Sequence, residues 1–436
     1  MNNKYYLECL ACGEIIPGFD IWFTYRQLCP KCGSKHAEVR YQTDYKKLLP
    51  LFESKPDSFW HYLDYLPLNN AAHIVSCKEG AIPLENWCFL EDFARTHYGI
   101  NCKVWVYRND QNGGTGTFKD VAASLAASLF RAHNINHYIV ASTGNTATAY
   151  SKYLALADVA CSVFIPDNAL EASEAVISAY CQKVFRIKGD YAKAKSVAAE
   201  FAHTHQILIS SGNIDPIRVE AKKTMVFEWL RQIKMIPDVY IQAISGGTGP
   251  IAVDKGIREM STTFPQYKTP RFIMVQPDKC APMVRAWLKA EKADFPEGFE
   301  NDYPIIEAPP TSVPTLATGN PATYPIIARL VKKTAGTFIA VDENKLADFA
   351  RLAAFERKVL LGPASAVCLA GFFEALKKNQ IKNDETILIN VGEGVERAPQ
   401  FLNDMIYTTS HVETATECCI HNKQNFKKSL WEAILK

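Results

Sequence analysis

Between residues 103 and 391 the chain alternates short apolar, β-branched runs with longer amphipathic stretches. KVWVYR (103–108), YIVAS (138–142), CSVFI (161–165), KVFRI (183–187), VYIQAI (239–244), RFIMVQ (271–276) and TILINV (386–391) have the length and composition of strands. Between most of them, apolar residues recur at helical spacing. One such helix follows Lys119, with Val121, Ala122, Leu125, Ala126 and Leu129 at its apolar positions; others are predicted over 146–157, 171–180, 192–203, 220–234, 251–260 and 364–377. This alternation predicts an α/β architecture with parallel sheets covered by helices on both faces. In such folds ligands bind beyond the carboxyl ends of the strands, on the loops that open the next helix. Those loops are where the chemistry is expected.

Three of them have a telling composition. After KVWVYR comes NDQNGGTGTFKD (109–120), which lacks the GxxxxGK[ST] spacing of a phosphate loop. It places Lys119 at a strand-to-helix junction, where burial lowers an amine's pKa and lets it condense with an aldehyde. Taken alone, the loop fits a surface lysine equally well. After YIVAS, STGNTATAY (142–150) opens a helix with free backbone N–H groups sized for a carboxylate. A plain helix cap is the alternative there. After VYIQAI, the glycines of SGGTGPI (245–251) let backbone approach a ligand, and the helix start behind them favours a phosphate. A lysine, a carboxylate cradle and a phosphate cradle on one sheet are the parts that hold an amino acid on pyridoxal phosphate (PLP).

TGTFKD (115–120) resembles the PTGSFKD motif of threonine synthases, with Lys119 at the Schiff-base position. STGNT is similar to that family's SGNT loop, and SGGTG to the glycine loop around its PLP phosphate. KEGAIPL (78–84), DPIRVEAKKT (215–224), GNPATYP (319–325) and PASAVCLAG (363–371) resemble its GEGNTPL, NPxRxEGQKT, GNPxSW and PASAASLAG motifs, in order along the chain. The resemblance implies PLP fold type II, tryptophan synthase beta-like: two interleaved, doubly wound α/β lobes over 49–408, a zinc-ribbon-like element over 1–48, and a tail over 409–436. It implies that Lys119 both anchors the cofactor and moves protons, that Asn145 lies beside the cofactor 3′-hydroxyl, and that Ser245, Gly246, Gly247, Thr248 and Gly249 wrap the phosphate. Thr117, Ser142, Thr143, Gly144, Thr146 and Asn213 would meet the substrate, Thr143, Gly144 and Asn145 holding its carboxylate and Arg218 the leaving phosphate. The implied reaction converts O-phosphohomoserine and water to threonine and phosphate.

Departures from the family pattern fall on contact residues. Its Asn-Ser pair is Gly212 and Asn213 here, the Arg-Gly after its FKD is Val121 and Ala122, and the stretch that carries its pyridine-nitrogen threonine reads NVGEGVERAP (390–399), without threonine or serine. Asn390, a water, or Glu393 is left to meet that nitrogen, with Glu393 as the cofactor contact of interest. Cysteate synthase, a homologue acting on O-phosphoserine and sulfite, has a glycine loop that resembles QAISGGTGPIA (242–252); it supplies the alternative reaction, beside another PLP-dependent β-replacement or dehydratase activity.

Cys9-Leu-Ala-Cys12 and Cys29-Pro-Lys-Cys32 form two CxxC knuckles sixteen residues apart, the spacing of one tetrahedral structural zinc. Gly13 and Gly33 follow each second cysteine, where a tight turn wants a flexible residue. Net charge is +2, which argues against nucleic acid or an anionic membrane as partner. No apolar stretch is long enough to span a bilayer, and no leader pattern opens the chain. Thirteen cysteines without an export signal point to the cytoplasm. The expected partner is a small phosphorylated amino acid. Residues 423–436 form a possible amphipathic helix with Phe426, Leu430, Trp431 and Ile434 on one face, packed on its own chain or at a homodimer contact.

Overall fold

The computed structural model describes residues 4–142, 144–167, 169, 171–406, 408–418 and 423–435. The chain opens with an antiparallel sheet of order β2-β1-β3, formed by β1 (Tyr5–Cys9), β2 (Ile15–Ile16) and β3 (Ala37–Tyr41). Tyr5, Leu7 and Cys9 alternate inward along β1, the period of a strand with one covered face. That face shares an apolar core with helix Asp120–Ala132, and the rings of Phe23 and Phe130 meet edge-on at 5.5 Å. The cysteine-bearing element is therefore built into the body of the protein. Its periodicity is hard to read in sequence because its strands are at most five residues long.

β4 (Leu84–Asn86) and β5 (Lys103–Arg108) begin the large sheet. The chain then leaves it to build a small parallel sheet of order β8-β7-β6-β9, from β6 (His137–Ala141), β7 (Ala160–Pro166), β8 (Lys183–Ile187) and β9 (Leu208–Ile209). Helix Pro216–Ile233 leads back to β10 (Val239–Ala243), β11 (Arg271–Pro277), β12 (Thr337–Val341) and β13 (Thr386–Val391). The large sheet has the order β12-β11-β10-β13-β5-β4, parallel except for β4. Alternate residues feed two cores: Ile241, Ile273, Val275 and Ile389 face helices Leu346–Arg357 and Pro363–Lys377, whereas Tyr240, Phe272, Met274 and Leu388 face helices Pro216–Ile233 and Pro282–Lys292. Both faces are covered, as parallel strands require.

The seven strands expected from sequence are present within a residue or two. β1 to β4, β9 and β12 are not among them. β4 and β9 are three and two residues long, and a five-residue apolar run such as TFIAV does not distinguish strand from helix. Helices Cys88–Tyr98, Pro282–Lys292, Tyr324–Lys333 and Leu346–Arg357 also went unassigned. Helix Lys423–Leu435 packs on its own chain: Leu430 and Ile434 are buried, and the Trp431 ring stacks on Phe93 at 5.1 Å. Among the described residues no helix is long and apolar enough to cross a membrane.

Candidate active site

β10, β13 and β5 are neighbours in the large sheet, so the loops leaving their carboxyl ends lie side by side. The small lobe contributes the loop after β6 and the residues between β9 and helix Pro216–Ile233. Together they line a cavity of about 550 Å³, within the usual size of a cofactor or ligand site.

Lys119 is half-buried on the cavity wall, at the start of helix Asp120–Ala132. Its loop is held from behind. Asp120 accepts from the amides of Thr115 and Thr117, each at 2.8 Å, and Asn112 bridges the loop to Gly80 through Thr117 O and Gly80 N, again 2.8 Å each. The motif KEGAIPL thus supports the lysine loop and does not face the cavity. Burial lowers the Lys119 amine to about 8, with Glu393 raising it and Arg218 lowering it. The same burial pushes the Asp120 carboxyl up to about 6.

Glu393 arrives from the end of β13. Thr117 and Glu393 form an isolated antiparallel bridge, and Phe118 N donates to Gly392 O at 3.0 Å. Ser365, wholly buried in PASAV, fastens this segment: its hydroxyl donates to Glu393 O at 2.7 Å and accepts from the amides of Gly392 and Glu393 at 3.1 and 3.0 Å. The Glu393 carboxylate accepts from Asn145 Nδ2 and from Ala364 N (3.2 Å), and burial raises its pKa. Asn145 is engaged at its other end by Arg397, at 3.2 Å. Asn390 differs. Its Oδ1 accepts from Asn109 at 2.7 Å, but its Nδ2 is buried on the cavity wall with no partner.

The glycine loop Ser245–Gly249 lies opposite, at the start of helix Thr248–Ser261. Gly247 has φ +76°, a left-handed conformation that suits glycine. A Cβ on Gly246 would sit 1.7 Å from Asn213 Nδ2, so a side chain there would have to displace Asn213. Asn213 accepts from Thr248 Oγ1 at 2.9 Å, and Thr323 of GNPATYP donates to Gly246 O at 2.6 Å. Arg218 lies at 5.1 Å over the Tyr150 ring and donates to Ser210 Oγ at 2.6 Å.

Of the residues expected from sequence, Lys119, Ser142, Gly144, Asn145, Thr146, Asn213, Arg218, Ser245, Gly246, Gly247, Thr248, Gly249 and Glu393 come together on this cavity. Thr143 lies outside the described residues. Thr117 corrects the expectation of a substrate contact. It is completely buried, and its hydroxyl faces Asp120 (3.3 Å), Thr115 (3.2 Å) and Lys119 N (3.2 Å), so it shapes the lysine loop from behind the wall. Ser365, Asn109, Arg397, Lys222 and the wall Pro314–Leu316 went unforeseen. Ser365 lies in PASAVCLAG, Lys222 in DPIRVEAKKT, Asn109 in NDQNGGTGTFKD and Arg397 in NVGEGVERAP; which side chains of those stretches turn to the site is set by tertiary contacts.

The sulfurs of Cys9, Cys12, Cys29 and Cys32 lie within 4.8 Å of one another, the one such group among the described residues. Cys9 and Cys32 are 3.6 Å apart and Cys12 and Cys29 3.7 Å, close to the roughly 3.8 Å edge of a tetrahedral zinc–thiolate site with 2.3 Å bonds. Gly13 and Gly33 have φ of +74° and +71°, and each donates its amide to the first cysteine's carbonyl at 2.9 Å. The two knuckles share one geometry, and the group fits a zinc-ribbon-like element.

The family model described as pyridoxal-phosphate dependent enzyme matches residues 83–393, and the chain belongs to that family. It is similar to the threonine synthase of Methanocaldococcus jannaschii, 27% identical over 400 residues that cover 89% of this chain and 92% of that protein. It is also similar to the cysteate synthase of Methanothrix thermoacetophila, 25% identical over 91% of this chain and 92% of that one. Among solved structures, the processed form of threonine deaminase isoform 2 from Solanum lycopersicum superposes with a TM-score of 0.59 at 17% identity, covering 81% of this chain and 95% of its own. Cysteine synthase from Entamoeba histolytica gives 0.59 at 16%, covering 81% and 94%. The architecture is PLP fold type II, as the sequence motifs imply.

Proposed function

We propose that this protein is a threonine-synthase-like lyase that converts O-phosphohomoserine and water to threonine and phosphate. The observation that carries the reading is the pairing, across one cavity, of a half-buried lysine whose amine is lowered to about 8 with a basic residue, Arg218, that has no carboxylate ion pair among the described residues. Bound PLP supplies the electron sink that makes the Cα proton of an amino acid acidic. Lys119 is the residue placed to hold the cofactor and to take and return protons at Cα and Cβ, since its amine can be neutral near physiological pH. The Ser245–Gly249 loop offers backbone N–H groups for the cofactor phosphate. Ser142, Gly144 and Thr146 are suited to the substrate carboxylate, and Arg218 to the leaving phosphate. For the ring nitrogen we favour Asn390, because its Nδ2 is a buried donor in need of an acceptor. Glu393 already accepts two hydrogen bonds and steadies Asn145 and the charge of Lys119. The four cysteines would hold one structural zinc.

A second reading, replacement at Cβ of O-phosphoserine by sulfite, is favoured by the absence of threonine or serine from residues 390–399 and by the likeness to a cysteate synthase. Incubating PLP-loaded enzyme with O-phosphohomoserine, or with O-phosphoserine and sulfite, and measuring phosphate together with the amino-acid product decides between them. Threonine from the first mixture supports the proposal. Cysteate from the second, with no threonine from the first, replaces it.

A further inference from the structure

Three lysines are buried among the described residues: Lys222, Lys223 and Lys255. Two of them are matched by acids. Lys223 lies 2.7 Å from both Glu220 and Glu259, and Lys255 lies 3.0 Å from Glu220 and also bonds Glu259. Lys222 is only 3% exposed, yet among the described residues no carboxylate lies within ion-pair distance and no acceptor meets its amine. Its amine sits 4.3 Å over the Phe118 ring, beside Lys119. Burial, followed by the charges of Lys119 and Arg218, pushes its pKa well down.

Arg218 precedes Lys222 by one turn of helix Pro216–Ile233, so the two side chains share one face. Both line the cavity. Arg218's hydrogen-bond partners, Tyr150 OH (3.3 Å) and Ser210 Oγ (2.6 Å), are uncharged. Asp215, whose charge reaches Arg218, caps the helix through Ile217 N at 3.0 Å and makes no ion pair. Like charges at this spacing repel, and removing them from water adds to the cost. An anion between them offsets both. The cofactor phosphate has its own cradle in the backbone of the Ser245–Gly249 loop, at the start of a different helix, Thr248–Ser261.

We propose that Arg218 and Lys222 together form a subsite for a tetrahedral oxyanion carrying two negative charges, the phosphate ester of the substrate, with Lys222 as the residue that selects a dianion over a neutral group. This rests on the reading of a phosphorylated amino acid as substrate and assigns its phosphate a second cation. Two cations match the charge of a phosphate monoester, whereas a hydroxyl at that position leaves both unmatched.

The test uses PLP-loaded wild type, Lys222→Met, which keeps much of the length without the charge, and Lys222→Arg. Binding of O-phospho-L-homoserine, L-homoserine, O-phospho-L-serine and L-serine is followed by calorimetry, with PLP content measured after dialysis. Lys222→Met is expected to keep its PLP and its affinity for the two hydroxy amino acids. It should bind the phosphorylated pair about tenfold or more weakly, the loss expected of one charge-assisted hydrogen bond. Lys222→Arg should recover part of that loss. Undiminished affinity of Lys222→Met for the phosphorylated pair overturns the proposal. So does loss of PLP with unchanged discrimination, which would assign the lysine to the cofactor's phosphate. Failure of the functional reading looks different: a wild type that makes no threonine, yet prefers phosphorylated ligands and loses that preference in Lys222→Met, leaves the subsite standing.

Discussion

Replacing Ser365 with alanine removes one oxygen from the centre of the protein, leaves two amides without their partner and leaves the Glu393 carbonyl with only Gly362 N at 3.4 Å. The carbonyl of Glu393 and the amides of Gly392 and Glu393 all meet the Ser365 hydroxyl. An unsatisfied buried group costs about 1–3 kcal/mol. Gly392 is half-buried, so water can recover part of its share, and a total of about 3 kcal/mol is expected. With an unfolding entropy of about 2.1 cal/mol/K per residue, a chain of 436 residues has about 0.9 kcal/mol/K, so melting should fall by about 3 °C. Activity should suffer more than stability, because Gly392 O holds Phe118 N beside the lysine and Glu393 steadies Asn145. Scanning calorimetry of the PLP-loaded protein, with cofactor content and turnover on the same samples, measures all three. Ser365→Cys, which keeps a weak donor and acceptor, should fall between. A melting temperature unchanged within about 0.5 °C, with full cofactor content, would refute the reasoning.

Capture of PLP by apoenzyme requires the neutral Lys119 amine, so its rate should rise with pH up to about 8 and level off above, as stopped-flow absorbance can show; a rate still climbing near pH 10 would mean an ordinary exposed lysine. Lys119→Ala should stay folded but lose the absorption of lysine-bound cofactor and all but a trace of turnover. Asn390→Ala should shift the absorption of bound PLP and lower turnover at unchanged PLP content, whereas an effect confined to Glu393→Gln would transfer the ring-nitrogen role to Glu393. Metal analysis of protein purified under reducing conditions should find one zinc per chain, lost in the Cys9→Ser/Cys12→Ser double variant together with stability but not with the PLP spectrum of what remains folded.

The sheet strands and the glycine-bearing loops were legible because each is a local pattern. A buried strand is a run of β-branched residues, a cradle is a cluster of glycines before a helix, and a thiolate site is a pair of CxxC knuckles. What escaped was set by contacts between distant segments. Nothing near Thr117 in sequence reveals that its hydroxyl turns toward Asp120 and away from the cavity. The orphaned amide of Asn390 depends on Asn109, whose Nδ2 satisfies only its oxygen. Lys222 and Lys223 are adjacent and equally basic in sequence, yet Glu220 and Glu259 neutralise Lys223 while Lys222 reaches the cavity without an acid. The short edge strands failed for the opposite reason, since they have too few residues to show a period.

The strand order also fixes when, during synthesis, the site can exist. β13 lies between β10 and β5 and pairs with both: Ile389 is opposite Ile241 on one side and Val106 on the other. Among the described residues it is the last strand to leave the ribosome. Until residues 386–393 emerge, β5 and β10 have no common neighbour, their edges are open to mispairing, and the loop bearing Lys119 lacks the Gly392 carbonyl that receives Phe118 N. A growing chain therefore carries the lysine, the glycine loop and Arg218 for much of its synthesis without a cavity to assemble them. Long-range closure of this kind is slow and leaves apolar surface exposed meanwhile. Retention of cofactor then reports a finished chain: a fragment ending before residue 386 should fail to hold PLP although nearly every group proposed to touch it has already been made.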